Sequence, residues 1–129
     1  MEIFFKNSKI KSFRDLRTWQ TSRRLIPEIY QITEGFPREE KYILVSQIRS
    51  AAISISVNIA EGMGRATPKD LIRFLVQARG SLHEVLNYLQ IALDLKYITQ
   101  DQFNKLNNDY LGLNAGINNH IESLKPYVN

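Results

Sequence analysis

The chain has 129 residues, 43% of them hydrophobic and 23% charged, which fits one globular domain with a hydrophobic core. It contains no cysteine, which excludes a disulfide framework, a thiolate metal site and a cysteine nucleophile. We expect a cytoplasmic protein with no membrane association, because the start lacks a signal-peptide pattern and no apolar run reaches the roughly 20 residues of a bilayer span.

The formal charge of +4 is a mild basic excess, and most of it lies near the N-terminus. Glu2 and Asp15 are the acidic residues of this region. The basic residues there are Lys6, Lys9, Lys11, Arg14 and Arg17. We interpret residues 1–13 as a basic arm, which is either a solvated tail or a segment that contacts phosphate.

Apolar residues recur every three or four positions in four segments, which predicts four helices and no strand. Helix 1 should span about 14–34, with a kink before Pro27, and helix 2 about 38–61. The expected core stripe of helix 1 contains Leu16, Trp19, Ile26, Tyr30 and Thr33, widened by Leu25, Ile29 and Ile32.

Helices 3 and 4 have clear start signals. Helix 3 should begin with Thr67 as N-cap and Pro68 in the first turn, and end near Lys96. Helix 4 should begin with a capping box from Thr99 to Gln102 and end before Pro126. Because the connections are short, the prediction is an all-α, antiparallel up-down-up-down four-helix bundle, with residues 1–129 forming a single domain.

Helix 2 carries two apolar stripes. The first suits a bundle core and contains Val45, Ile48, Ala52, Ile55 and Ile59. Ile53, Val57 and Ala60 form a second stripe on another face. A helix that is apolar on two faces must also be covered on its outer side, so Ile53 and Val57 are predicted to lie in an oligomer interface.

The sequence offers little for catalysis. Neither His83 nor His120 has a glutamate three residues before it, as a di-iron bundle site requires. A zinc-protease helix and a P-loop are also absent. We therefore expect no metal, no cofactor and no enzymatic activity.

One set of polar residues surrounds helix 2 and the turn that follows it: Arg49, Asn58, Glu61, Arg65 and Glu84. We interpret them as a structural network that satisfies polar groups at a helix junction or a subunit interface. The alternative is an anion pocket, in which the free N–H groups at the start of helix 3 act together with Arg65 and Lys69.

Several short segments resemble one protein family. They include Asp15-Leu16, Trp19-Gln20, Phe36-Pro37, Gln47-Ile48-Arg49, Phe74-Leu75, Gly80-Ser81 and, most specifically, Asn-Ile-Ala-Glu-Gly-Met-Gly-Arg at 58–65. The chain resembles, over about 13–98, the four-helix-bundle proteins encoded within intervening sequences of bacterial 23S ribosomal RNA genes. Pro27 and Ser56 depart from the pattern of that family.

The resemblance implies a ring-shaped homopentamer of all-α subunits. It also implies kinship with the accessory variability protein of diversity-generating retroelements, which is a basic pentameric barrel that binds nucleic acid and a reverse transcriptase. Our first functional hypothesis is a non-enzymatic homo-oligomer that binds RNA or DNA through a basic surface. The alternative is a protein-interaction scaffold with no nucleic-acid role, for which a reverse transcriptase would be one candidate partner.

Overall fold

The computed structural model describes residues 10–128, and four α-helices contain most of them. The helices are α1, Arg17–Thr33; α2, Ser46–Met63; α3, Pro68–Asp94; and α4, Gln100–Leu124. No strand occurs in this part of the chain. The prediction of an all-α protein with four helices is confirmed.

Side-chain contacts between α2 and α3 show that these helices run in opposite directions. Ser54 Oγ lies 2.9 Å from Ser81 Oγ, and the hydroxyl of Tyr88 donates to Gln47 Oε1 at 3.4 Å. The contact residue on α2 therefore moves back along the chain as its partner on α3 moves forward. This is the arrangement expected of two helices joined by a short turn.

The core stripe predicted for helix 2 is buried, and the buried stripe of α3 contains Leu71, Leu75, Ala78, Leu82, Val85, Leu89 and Ala92. Of the stripe expected for helix 1, Leu16 and Thr33 are buried, but Tyr30 is partly exposed. Leu25 and Ile29 are fully buried, whereas the side chain of Tyr30 is 37% exposed. Ser22 and Thr33 complete the buried face of α1. The helix is therefore rotated so that Tyr30 lies at the edge of the bundle, where it meets α2.

The helix ends follow local rules that the sequence displays. Thr67 caps α3 by accepting from the N–H of Asp70, and Thr99 and Gln102 form the expected capping box at the start of α4. At the end of α3, Lys96 has a φ of 63°. This left-handed residue allows the N–H of the next residue to reach back to Ala92 O at 2.8 Å, which closes the helix.

The first helix begins three residues later than predicted. Ser12 caps a short 3-10 turn at Phe13–Asp15, and Leu16 is extended before α1 begins at Arg17. The capping box between Ser12 and Asp15 begins this turn, and the extended backbone of Leu16 separates it from α1.

The second helix begins irregularly. A 3-10 turn at Arg38–Glu40 and a π-helical segment at Lys41–Val45 precede α2. Leu44 and Val45 of the π-helical segment are both buried. The apolar period indicated a helix here but not this geometry.

The helical stretch Arg38–Met63 is long and apolar enough to cross a membrane by length and composition alone, with a mean hydropathy of 1.4 over an 18-residue window. The expectation that no segment reaches this threshold was wrong. Ile48, Ile55 and Ile59 of this stretch are fully buried against the other helices of the bundle. Since a core helix of a bundle can have the same composition, these two criteria do not distinguish a membrane span from a core helix.

Candidate functional site

The second apolar stripe of α2 lies outside the bundle core. The side chains of Ile53 and Val57 are 38% and 50% exposed, whereas Ile55 and Ile59 are fully buried. The two stripes are thus on separate faces, as the sequence indicated. Their role in a subunit interface stays a prediction, because the structure contains one protomer.

Arg49 joins α2 to the end of α1. Its Nε donates to Thr33 Oγ1 at 2.9 Å, and its Nη2 donates to the carbonyl oxygen of Tyr30 at 3.3 Å. Its guanidinium carbon lies 4.3 Å from the centroid of the Tyr30 ring, which is a cation–π contact. Thr33 Oγ1 in turn donates to Ile29 O at 2.7 Å, so this hydroxyl both donates and accepts a hydrogen bond.

Asn58 belongs to a second polar cluster, between α2 and α3. Its Nδ2 donates to the carbonyl oxygen of Ser54 at 2.9 Å and to Ser54 Oγ at 3.1 Å. Ser54 Oγ also contacts Ser81 Oγ across the interface. These small polar groups satisfy one another where the two helices pack closely.

Glu61 and Arg65 form a third cluster beyond the end of α2. Arg65 Nη2 lies 3.3 Å from Glu61 Oε2, and both side chains are about half exposed, at 45% and 53%. The Arg65 guanidinium also lies 4.7 Å from the centroid of the Phe74 ring. Glu84 is exposed and makes no ion pair within residues 10–128.

The prediction that these five polar residues form one network is therefore wrong within a protomer. Arg49 and Arg65 are sixteen positions apart, which is about 24 Å along a helix, too far for one side-chain cluster. Arg49 has no carboxylate partner in the described chain, so its expected buried ion pair is also absent. Their participation in a subunit interface stays a prediction.

The segment 58–65 is explained by the close approach of α2 and α3. A Cβ on Gly62 would lie 2.8 Å from Leu71 Cδ1 and 2.9 Å from Phe74 Cβ, so only glycine fits without a shift. Gly64 ends the helix, and its N–H reaches back to the carbonyl oxygens of Ala60 and Glu61. The most specific part of the resemblance is thus a structural junction.

Side chains of the protein itself already supply a hydrogen-bond acceptor and a negative charge at the N-terminus of α3. Thr67 Oγ1 accepts from the N–H of Asp70 at 3.1 Å, and the Asp70 carboxylate pairs with Arg73 at 3.7 Å. A carboxylate in the first turn supplies the negative charge that the helix dipole favours. The geometry therefore does not favour the alternative of an anion pocket here.

The basic residues near the N-terminus lie on a folded segment where the structure describes them. Lys6 and Lys9 fall outside the described residues. The carboxylate of Asp15 accepts from the backbone N–H of Lys11 at 2.7 Å and of Ser12 at 3.1 Å, and these bonds lower the pKa of Asp15. Residues 11–15 are therefore held as a turn, so the predicted arm is ordered at its C-terminal end.

Aromatic rings fix this turn to α1. The rings of Phe13 and Trp19 meet edge to face with centroids 5.0 Å apart, and the guanidinium of Arg14 lies 4.6 Å from the Phe13 centroid. Arg14 and Arg17 are both exposed beside this contact. Their charges are thus presented from a structured surface.

The basic surface continues along α1 through two residues that the sequence analysis did not single out. Arg23 and Arg24 are exposed, and with Arg14 and Gln20 they surround a depression beside Pro27. Helical spacing was an available signal, because positions seven apart, such as 17 and 24, lie on one face. We name the surface from Lys11 to Arg24 the α1 basic surface.

The described residues offer no group of three or more His, Cys, Asp or Glu side chains that could hold a metal ion. Burial raises the pKa of the Tyr110 hydroxyl well above its usual range, so this buried group stays neutral. His120 is partly buried, and desolvation lowers the pKa of its imidazole. The fold and its surface thus define a four-helix bundle with a basic segment and an exposed apolar stripe.

The chain belongs to the 23S rRNA-intervening sequence protein family, whose profile matches residues 14–119. It is also similar to the crystal structure of a protein of unknown function from the S23 ribosomal protein family of Bacteroides thetaiotaomicron VPI-5482. The TM-score is 0.75 at 25% identity, over 81% of this chain and 97% of that chain. No curated protein matches the sequence. The family resemblance seen in the sequence is confirmed.

Proposed function

We propose that this protein is a non-enzymatic homo-oligomer, a pentamer in its simplest form, that binds RNA or DNA through its basic N-terminal surface. The charge distribution of α1 carries the proposal. Within residues 10–27 there are five basic side chains and one acidic side chain, Asp15. Asp15 keeps its negative charge, because the two backbone N–H groups stabilise the carboxylate, so five basic side chains against one acidic side chain leave this stretch a net charge of +4.

The charge is also distributed unequally between the two ends of the bundle. The end formed by residues 10–17, 61–73 and 120–128 carries seven basic and four acidic side chains. The opposite end, formed by residues 34–41 and 94–101, carries three basic and five acidic side chains. In a closed ring every protomer is related by rotation, so equivalent ends point the same way and their charges add on one face.

Oligomerisation would strengthen weak binding by each protomer. A single α1 basic surface offers only a few phosphate contacts, but several on one scaffold raise the effective concentration for the remaining contacts. The exposed Ile53 and Val57 provide apolar area to close such an assembly. Binding of this kind depends on phosphate rather than on bases, so we expect weak sequence preference.

A salt-dependent titration tests the proposal. The wild type should bind labelled duplex RNA or duplex DNA at low salt and lose most of its affinity between about 50 and 200 mM salt. The triple variant Lys6→Glu/Lys9→Glu/Lys11→Glu should bind more weakly without a change in fold, because all three positions precede the first core residue, Leu16.

The chain offers a control with the same change in charge. Arg38→Glu/Lys41→Glu/Lys96→Glu alters the opposite end of the bundle and should retain more of the binding. Equal loss in both triple variants would indicate a general charge effect, and no binding by the wild type at low salt would refute the nucleic-acid function.

A protein-interaction scaffold is the second candidate, and the exposed stripe of Ile53 and Val57 favours it. An apolar face can be covered by another protein, such as a reverse transcriptase, as well as by another copy of the chain. Binding through apolar contacts weakens little with salt, unlike phosphate binding, so the same salt series separates the two functions.

A further inference from the structure

We propose that the groove between α1 and α4 is a phosphate-binding track for the backbone of a nucleic acid. The inference rests on the proposed function and deepens it by naming a surface beyond the N-terminal arm. One wall of the groove is α1, with Arg17 and Arg24, and the other is α4, with Asn108 and Gly112. We name it the α1–α4 groove.

The groove follows two antiparallel helices. A Cβ on Gly116 would lie 3.0 Å from Thr18 Cγ2, and Lys105 forms an ion pair with Glu28 further along. The contact residue on α4 moves back along the chain as its partner on α1 moves forward, so the two helices run in opposite directions. Between them lies Gly112, where an added Cβ would meet nothing within 4 Å.

The open space above Gly112 is not required by packing within the protomer. Glycine in a helix interior costs up to about 1 kcal/mol relative to alanine, and at position 112 no neighbouring atom of the described chain demands it. The missing side chain instead leaves the floor of the groove low, so that a nucleic-acid strand can approach the α4 backbone closely.

Hydrogen-bond donors that line the groove are available to bind a ligand. The side chains of Thr18, Thr21 and Asn108 line it and make no hydrogen bond to any residue between 10 and 128. Arg17 makes no ion pair within the same range, and Arg24 pairs only with Glu28, at 3.5 Å. Hydroxyl, amide and guanidinium donors are the groups that contact phosphate oxygens in nucleic-acid complexes.

One carboxylate also lines the groove. Asp109 accepts from Lys105 Nζ at 3.1 Å, and Lys105 also bonds Glu28. Both contacts raise the pKa of Lys105, so it remains protonated and offsets part of the negative charge. The groove therefore keeps a positive balance from Arg17 and Arg24.

The spacing of the two arginines favours a polymer of phosphates. Arg17 and Arg24 are seven residues apart, which is about 10 Å along the axis of α1. That distance corresponds to the rise of about three nucleotides of one strand. A nucleic-acid backbone can therefore place a separate phosphate at each of the two guanidinium groups.

A substitution that fills the groove without changing charge is the sharpest test. Gly112→Leu should weaken binding of a labelled RNA duplex about tenfold, because the side chain occupies the path of the strand. Gly80→Leu is the matched control, since Gly80 on α3 is also exposed with nothing within 4 Å of an added Cβ. It should bind within about twofold of the wild type.

The double variant Arg17→Gln/Arg24→Gln tests the groove independently of its shape. It should reduce the slope of log affinity against log salt by about two, one for each lost phosphate contact. Three results would each refute binding in the groove. They are wild-type affinity in Gly112→Leu, an equal loss of affinity in Gly80→Leu, and an unchanged salt slope in the double variant. If the wild type itself binds no nucleic acid, the proposed function fails together with the groove.

Discussion

Gly62 and Phe74 lie so close that a Cβ on the glycine would be 2.9 Å from the Cβ of the phenylalanine. The Phe74 Cβ is fixed to the backbone of α3, so the clash can be relieved only by separating α2 from α3. Gly62→Ala should therefore lower the free energy of unfolding by about 1–3 kcal/mol, measured by urea denaturation.

Gly80→Ala provides the control for that measurement. It introduces the same methyl group into an open position of α3 and should raise the free energy of unfolding by about 0.5–1 kcal/mol. If both alanine variants changed stability in the same direction, helix propensity rather than the approach of α2 and α3 would explain the result.

Arg49→Ala should lower the free energy of unfolding by about 1–2 kcal/mol, through loss of the hydrogen bond to Thr33 and of the contact with the Tyr30 ring. The cost stays moderate because Thr33 keeps its bond to Ile29 O and no carboxylate loses a partner. Arg49→Lys keeps the charge but loses the planar contacts, so we expect an intermediate value. A loss above about 3 kcal/mol in Arg49→Ala would point to a buried ion pair formed only in an assembly.

The sequence was sufficient for the parts of the fold that depend on local rules. The caps at Thr67 and Thr99 follow from side-chain chemistry, and the core stripe of helix 2 from Val45 to Ile59 follows from a 3.6-residue period. The structure confirms both. The rotation of α1, which exposes Tyr30, depends on how three helices pack together and cannot be obtained from one helix alone.

The candidate site was harder to predict because it depends on which helices face each other. The separation of Arg49 from Asn58 and Glu61 follows from the distance along α2, and helical geometry alone could have shown it. Asn58 and Glu61 are only three residues apart, and they belong to different clusters because Asn58 bonds Ser54 whereas Glu61 pairs with Arg65. The groove was not accessible in this way, since Arg17 and Gly112 are brought together only by the pairing of α1 with α4.

Ile53→Asp should convert the assembled protein into monomers or aggregates, measured by analytical ultracentrifugation. Burial of an isoleucine contributes roughly 1.5–3 kcal/mol, and in a ring this contribution recurs at every interface. Leu111→Asp, at a side chain of α4 that is 46% exposed, is the control and should leave assembly intact. A wild type that sediments as a monomer at micromolar concentration would contradict the prediction.

The stability of the bundle should depend on pH through His120. Burial lowers the pKa of its imidazole below the value of an unfolded chain, so the unfolded state binds a proton more readily than the folded state. The contribution of His120 is therefore fully present above the unfolded pKa of about 6.5 and is lost as the pH falls through that value towards the folded pKa. His120→Gln should reduce the decline in the free energy of unfolding between about pH 7 and pH 5, measured by urea denaturation at each pH.

His83→Gln alters an exposed histidine of α3 and should keep the wild-type decline. Equal declines in wild type and His120→Gln would show that other groups control the pH dependence.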